Sequence, residues 1–468
     1  MGFRFVLLPT DLLVFLLIVC TVIFAVLARR RAPSREAWRR VGRQPAAMAS
    51  AVILSVFAII GFMDSLHYRV QLPSGEGAQA VYSSEVLSAL DALLTPLRVR
   101  VEKTYSAPFA RESFQRETVE RADGGQARIT PRLVYGASHL QEGESMLSDI
   151  ARRLAWTPFL ALAVAGALLC VLGAGVARNQ GIGVADAVRR ILAGRTDLAW
   201  RSALIVVFLA MLLIAAGVAL APHYHMLGTD KVGQDVLYLS LKSIRTGLVI
   251  GTLTTLIMLP FAVALGIAAG YLGGWVDDAI QYLYTVLNSI PSVLLIAASV
   301  LMMQVMIDTN PQWFDTAAQR ADARLLALCA ILGITSWTGL CRLLRGETLK
   351  LRELDYVQAA RAFGASTPQI LRRHILPNVM HIVLISVALD FSILVLAEAV
   401  LSYVGIGVDP STISFGSMIN AARAELAREP VVWWSLAAAF GFMLTMVLAA
   451  NLFADAVRDA FDPRRQLR

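Results

Sequence analysis

Two carboxylates stand inside one long apolar run, residues 379–405: Asp390 and Glu398. A charge at mid-bilayer depth is costly, so such acids face protein or water. On a helix, eight residues place them about 80° apart around the axis and about 12 Å apart along it. The chemistry open to such a pair is proton relay, contact with a passing amine, or structural hydrogen bonding. Asp390 can serve either as a pathway residue or as a packed, hydrogen-bonded acid. Glu398, expected near the outer end of its span, is suited to pairing with a helix or loop neighbour such as the backbone after Gly405. Asn288 is a further polar candidate within a span, and the adjacent Pro291 sets a kink more readily than a contact. The segment Gly228-Thr229-Asp230-Lys231-Val232-Gly233-Gln234-Asp235 holds two acids between glycines. A calcium loop needs more oxygens in a twelve-residue frame, so no metal site is expected. The four cysteines, Cys20, Cys170, Cys329 and Cys341, lie in or at the edge of apolar runs and read as small apolar residues. No GxxxxGK[ST] phosphate loop occurs, and no catalytic residue is assigned.

The elements that must position these residues are membrane helices. Of the 468 residues, 57% are hydrophobic and 16% charged, with mean hydropathy +0.62. Soluble chains are nearer a quarter charged. About nine runs reach the roughly 20 apolar residues that a bilayer requires: 8–28, 45–63, 154–177, 202–221, 246–270, 280–307, 325–344, 379–405 and 433–456. The net charge of +8 does not argue for nucleic acid, because the arginines gather on one side. They cluster after the first run (Arg29, Arg30, Arg31, Arg35, Arg39, Arg40, Arg43), before the fourth (Arg178, Arg189, Arg190, Arg195, Arg201), between the seventh and eighth (Arg345, Lys350, Arg352, Arg361, Arg372, Arg373), and in the tail (Arg458, Arg464, Arg465, Arg468). The positive-inside rule makes these loops cytoplasmic, with the amino terminus outside and the carboxyl terminus inside. The turn at Asp277 and Asp278 carries no basic residue. The first run reads as an uncleaved anchor, because its basic cluster follows it. Residues 64–153 are polar. They combine a helical pattern (Val86, Leu87, Leu90, Leu93, Leu94) with a strand-like alternation (Leu97, Val99, Val101), as in a small extracytoplasmic domain of mixed helix and strand.

Between two of the runs lies YVQAARAFGASTPQILRRHILPN, residues 356–378. Ala359, Ala360 and Ala362 favour a helix, and Gly364 suits a left-handed end. Ser366 or Thr367 caps a second helix with Pro368 at its first position. Pro377 is expected to stop that helix. The segment resembles the EAA loop of binding-protein-dependent ABC import permeases, with Ala359, Ala360, Gly364, Leu376 and Pro377 in register. Gln358 replaces the usual acid, and His374 takes an apolar position. Three further segments resemble the C-type subunits of dipeptide and oligopeptide systems. In residues 225–237, Gly228, Thr229, Asp230, Gly233 and Asp235 match, with Gln234 replacing an arginine. In residues 273–295, Gly273, Gly274, Asp277 and Pro291 match. In residues 396–420, Glu398, Leu401, Ser402, Gly405, Gly407, Pro410, Ser414, Gly416 and Met418 match, with Phe415 for tryptophan.

The resemblance covers 202–468 and implies an all-α, polytopic integral membrane protein. Three amino-terminal helices and a small α/β extracytoplasmic domain would be added to a six-helix permease core. The expected organisation is 1–63, a helical hairpin with an Arg-rich loop; 64–153, the extracytoplasmic domain; 154–201, a third helix and linker; and 202–468, the permease domain. The resemblance also implies a multi-pass protein of the bacterial inner membrane, taking up peptides. Its partners would be a homologous B-type permease, two ABC ATPase subunits, an extracytoplasmic solute-binding protein and the lipid bilayer. ATP and magnesium would be bound by the ATPase subunits, and no cofactor by this chain. The 356–378 loop, through Gln358, Ala359, Ala360, Gly364, Leu376 and Pro377, would couple to the ATPase. Gln358 keeps hydrogen bonding without charge. Asn288, Asp390 and Glu398 are the candidates for the translocation path. Gly228, Thr229, Asp230, Gly233 and Asp235 form an external elbow packing on the partner permease or meeting the binding protein. Nickel, opines and sugars are alternative solutes. A proton-coupled secondary transporter would need paired broken helices in two related halves, and none is visible.

Overall fold

Apolar runs in lipid must satisfy their backbone groups internally, and a helix does this within one segment. The computed structural model describes residues 2–30, 32–73, 81–120, 126–141 and 143–461. Arg31, Arg464, Arg465 and Arg468, counted above for topology, lie outside the described residues. The chain opens with β1 (Phe3–Val6), α1 (Pro9–Arg30), α2 (Ala32–Arg43) and α3 (Pro45–Asp64). The polar region supplies β2 (His67–Val70), β3 (Leu87–Ser88), α4 (Ala89–Leu93), α5 (Thr95–Val99), β4 (Glu117–Glu120), β5 (Gln126–Ile129) and α6 (Met146–Leu154). Then follow α7 (Thr157–Gln180), α8 (Val184–Leu192), α9 (Trp200–Leu220), α10 (Val236–Leu272), α11 (Gly274–Ser289), α12 (Ser292–Thr309) and α13 (Ala317–Ser336). The remainder is α14 (Thr338–Arg352), α15 (Asp355–Ala362), α16 (Thr367–Ile370), α17 (Leu376–Val404), α18 (Phe415–Glu425) and α19 (Trp434–Phe461).

Among the described residues, 8 helical runs are long and apolar enough to cross a membrane, and α1 adds the shorter apolar stretch Pro9–Ile23. The protein is thus a polytopic, mainly helical membrane protein with a minor β component. The expected span 280–307 is divided. Ile290 is extended (φ −89°, ψ 129°) and Pro291 precedes α12, so the crossing part is Ser292–Thr309. Proline offers no N–H and pushes its predecessor out of the helical region, which accounts for the break. The expected span 325–344 extends further than its apolar run, because α13 and α14 join through Trp337 into one run, Ala317–Arg352.

The chain divides into two compact units. The first comprises Met1–Phe5, Arg39–Thr246 and Ile413–Ala449. Here α9 packs against α3 and α7. The polar region supplies β2 and β3 to a three-stranded sheet in the order β1-β2-β3, and β4 and β5 to a two-stranded antiparallel sheet that pairs Glu117 with Ile129 and Glu120 with Gln126. The expected strand through Leu97, Val99 and Val101 is absent. Pro96 stands in the first turn of the short helix α5, Leu97 is buried, and Val99 and Val101 are exposed. Proline in the first helical turn is pre-set for helix, which overrides a weak alternation. Lys242 of α10 donates to Asp64 (2.6 Å) and Asp91 (3.0 Å), and Tyr238 donates to Asp91 (2.8 Å). Buried charge is tolerated when paired in this way, and the pairs tie α10 to the ends of α3 and α4.

The second unit comprises Val6–Trp38, Gly247–Thr412 and Ala450–Arg468. One apolar cluster includes Met258, Leu340, Leu344, Val357, Ile375 and Val383; another includes Val249, Leu253, Leu328, Leu394 and Leu401. Glycines on α10 permit close helix contact. A Cβ on Gly266 would lie 2.8 Å from the Cys341 carbonyl oxygen, and one on Gly270 would lie 2.6 Å from Thr348 Cβ. This small-xxx-small spacing brings the α10 and α14 backbones together.

Candidate functional site

The 356–378 loop is built from local rules. Asp355 stands in the first turn of α15, where an acid complements the helix dipole. Val357 is 2% exposed and anchors the helix in the apolar cluster, with Ala360 and Ala365 packed against it. The helix ends in a Schellman arrangement. The Ala365 N–H donates to Ala360 O and the Gly364 N–H donates to Arg361 O, both at 3.0 Å. Gly364 has φ +81°, and a Cβ there would meet nothing within 4 Å. The glycine is therefore required by backbone conformation and not by crowding within the chain. Phe363, just before it, is 90% exposed.

Ser366 occupies the N-cap of α16 without a side-chain cap bond, and Pro368 lies in the first turn. Pro377 does not stop this helix. Leu371–Ile375 widens into a π-helical turn, in which the Leu376 N–H donates to Leu371 O, and Pro377 then stands in the first turn of α17. The wider turn accommodates a residue that has no N–H and whose ring crowds the preceding turn.

Three side-chain contacts close the loop. Asn378 Nδ2 donates to the Tyr356 hydroxyl (3.1 Å) and to His374 O (2.6 Å), and the His374 ring lies 6.0 Å from that of Tyr356. Gln358 Nε2 turns back to Glu353, donating to its carbonyl at 3.2 Å and reaching Oε2 at 3.5 Å. Gln358 and Ala359 are exposed, Leu376 is half-buried and Pro377 is exposed. On the neighbouring helix α14, Arg345 forks onto Asp277 of α11 at 2.5 and 2.6 Å. The Arg345 hydrogen bond, outweighing the opposing effect of burial, holds the Asp277 carboxyl below its ordinary range. The turn that carries no basic residue of its own thus receives one from α14.

The elbow at 225–237 is a second constellation, and its principal residue, His225, was not singled out by the sequence. His225 Nδ1 donates to Asp235 (2.8 Å) and Nε2 to Glu102 (3.4 Å), all three groups being buried. Glu102 also accepts from the backbone N–H groups of Val134, Tyr135 and Gly136 at 3.0, 2.7 and 3.0 Å. Burial opposes charge on both groups. The hydrogen bonds of Asp235 and Glu102 nevertheless raise His225 to about 9. His225 and the backbone donors lower Glu102 to about 2. Thr229 Oγ1 donates to Thr104 O (2.9 Å) and accepts from Ser106 N–H (2.6 Å), and Trp434 Nε1 donates to Thr229 O (2.9 Å). Asp230 accepts from the Val232 and Gln234 N–H groups at 3.0 and 2.8 Å. A Cβ on Gly228 would stand 2.4 Å from Ser106 O, and one on Gly233 only 1.8 Å from Glu102 O. This side of the elbow is therefore occupied by the chain's own 64–153 region. Glu102 and His225 are 123 residues apart, which is why the pattern was not legible.

The three candidates for the path are not brought together, and Asn288, expected within a span, lies in α11 ahead of the crossing run Ser292–Thr309. Asn288 accepts from Thr338 at 3.1 Å. Glu398, 2% exposed, accepts from Ser402 Oγ at 2.7 Å, one helical turn further along α17. Gly407 returns so close to Ser402 that a Cβ would lie 1.9 Å from its hydroxyl. Asp390 is half-buried at the midpoint of α17.

Residues 262–467 match the family described as binding-protein-dependent transport system inner membrane component. The chain is 32% identical over 245 residues to the oligopeptide transport system permease protein of Mycobacterium tuberculosis, covering 52% of this chain and 78% of that protein. It is 27% identical over 305 residues to the dipeptide transport system permease protein of Bacillus subtilis, covering 60% and 89%. It is 32% identical over 240 residues to the glutathione transport system permease protein of Pectobacterium atrosepticum, covering 51% and 73%. With a membrane-helical fold, the loop at 356–378 and these matches, the chain belongs to the family of binding-protein-dependent transport system inner membrane components, on the branch of the dipeptide and oligopeptide permeases.

Proposed function

We propose that this chain is one of two permease subunits of an ATP-driven importer of di- or oligopeptides. The observation that carries this reading is the likeness over 245 residues to an oligopeptide permease, alongside a family match at residues 262–467 that includes the 356–378 loop. The partners are a homologous B-type permease, two ABC ATPase subunits that bind ATP and magnesium, and an extracytoplasmic solute-binding protein. This chain binds no cofactor and performs no hydrolysis. The basic loops face the cytoplasm, the amino terminus lies outside, and residues 64–153 form an extracytoplasmic domain between a helical hairpin (1–63) and the third helix with its linker (154–201). Residues 202–468 form the permease proper.

The mechanism is alternating access. Closure of the ATPase subunits moves α15 through contacts with Gln358, Ala359, Ala360 and the exposed Phe363. The loop is fit to transmit that movement because its start and end are fastened to each other at Tyr356 and Asn378. Leu376 and Pro377 carry the movement into α17. The test is uptake of a labelled tripeptide by cells that depend on this system. Removing the chain should abolish uptake and restoring it should recover uptake. Unchanged uptake in its absence overturns the reading.

A further inference from the structure

Three polar side chains are candidates for the path, and the structure distinguishes them. Asn288 is engaged by Thr338, and Glu398 is buried and engaged by Ser402. Asp390 is different: among the described residues no hydrogen bond or ion pair reaches it. It stands half-buried at the middle of a 29-residue helix that lies within a membrane-crossing run. At 100° per residue it faces between two rows of α17. One row is buried and holds Val383, Leu394 and Leu401. The other is exposed and holds Ile393, at 61%, and Val400, at 54%. An ionisable side chain at that depth faces protein or water and pairs with a group of opposite sign. The described residues supply no such group, which points to a cation from outside them.

We propose that Asp390 holds the cationic side chain of a passing solute midway across the membrane, so that the permease itself favours cationic peptides. This rests on the peptide-import reading for its substrate class. A carboxylate with no partner among the described residues is available to each solute in turn. Glu398 and Asn288, already satisfied, are structural.

The test uses the assembled transporter, with its partner permease, ATPase subunits and binding protein. Initial uptake of Ala-Lys-Ala, Ala-Gln-Ala and Ala-Glu-Ala is compared for the native chain, Asp390→Asn and Asp390→Glu. Asp390→Asn should lower Ala-Lys-Ala uptake about tenfold relative to Ala-Gln-Ala, as expected for loss of a hydrogen bond to a charged group. Asp390→Glu should keep the preference. Equal effects on all three peptides, or none, overturn the proposal. So does loss of the partner permease from the purified Asp390→Asn complex, because the acid then pairs with a basic residue of that subunit. If the native transporter imports none of the peptides, the peptide reading fails, and Asp390 is judged by access alone. Asp390→Cys is then treated with a cationic methanethiosulfonate in a chain with Cys20, Cys170, Cys329 and Cys341 replaced by alanine. Labelling that changes with ATP supports a place in the path. No labelling in any state overturns it.

Discussion

Asn378 donates its side-chain amide to the hydroxyl of Tyr356, 3.1 Å away, joining the first turn of α17 to the first turn of α15. The loop between them is therefore a closed ring of structure. Removing the phenol oxygen with Tyr356→Phe should cost about 1 kcal/mol of local stability. It should also lower peptide uptake several-fold while leaving ATP hydrolysis by the complex in place. Parallel uptake and ATPase assays check this. An equal fall in both would place the defect in assembly.

Gly364 provides a sharper test of the same loop. At φ +81° any residue with a Cβ is strained by roughly 1–2 kcal/mol, more for a β-branched one. No atom lies within 4 Å of the Cβ position, so the effect within the chain is purely conformational. Gly364→Asn should be tolerated and Gly364→Val should uncouple hydrolysis from transport. Normal uptake by Gly364→Val would remove the loop from the transmission path.

The Glu102–His225–Asp235 clasp predicts a pH dependence. His225 is raised from 6.5 to about 9, so its stabilisation is complete below about 6.5 and lost as pH rises through about 9. Glu102 is lowered from 4.5 to about 2, so its stabilisation is complete above about 4.5 and lost as pH falls through about 2. The clasp is strongest between these limits, and the loss on the alkaline side is on the order of 3 kcal/mol. Melting of the purified protein should fall between pH 7 and 9.5. His225→Gln should flatten that slope.

Gly233→Ala should separate the 64–153 region from the elbow, because the added methyl would stand 1.8 Å from Glu102 O at a residue with φ +78°. We expect faster proteolysis within residues 81–153 with little change at α15. Limited digestion followed by mass analysis reads both. Unchanged protection would mean that the elbow is not what holds the region.

Local chemistry was legible in the sequence. Gly364 at the helix end, Pro368 at a helix start and the break at Pro291 follow from what those residues permit within a few positions. Pro377 was misread because its role depends on the π-helical turn before it, which no single residue announces. Leu97, Val99 and Val101 were misread because Pro96 outweighed their alternation. The contact between Glu102 and His225 could not be read, since nothing in either neighbourhood marks its partner. Ser402, one turn beyond Glu398, was a readable signal for that acid. The isolation of Asp390 is a property of its surroundings and needed the packed helices.

Gly266 and Gly270 set how closely α10 and α14 approach each other beside the loop. Cys341 and Thr348 are seated where side chains at these two positions would otherwise stand, so the seam has no slack for even one added methyl group.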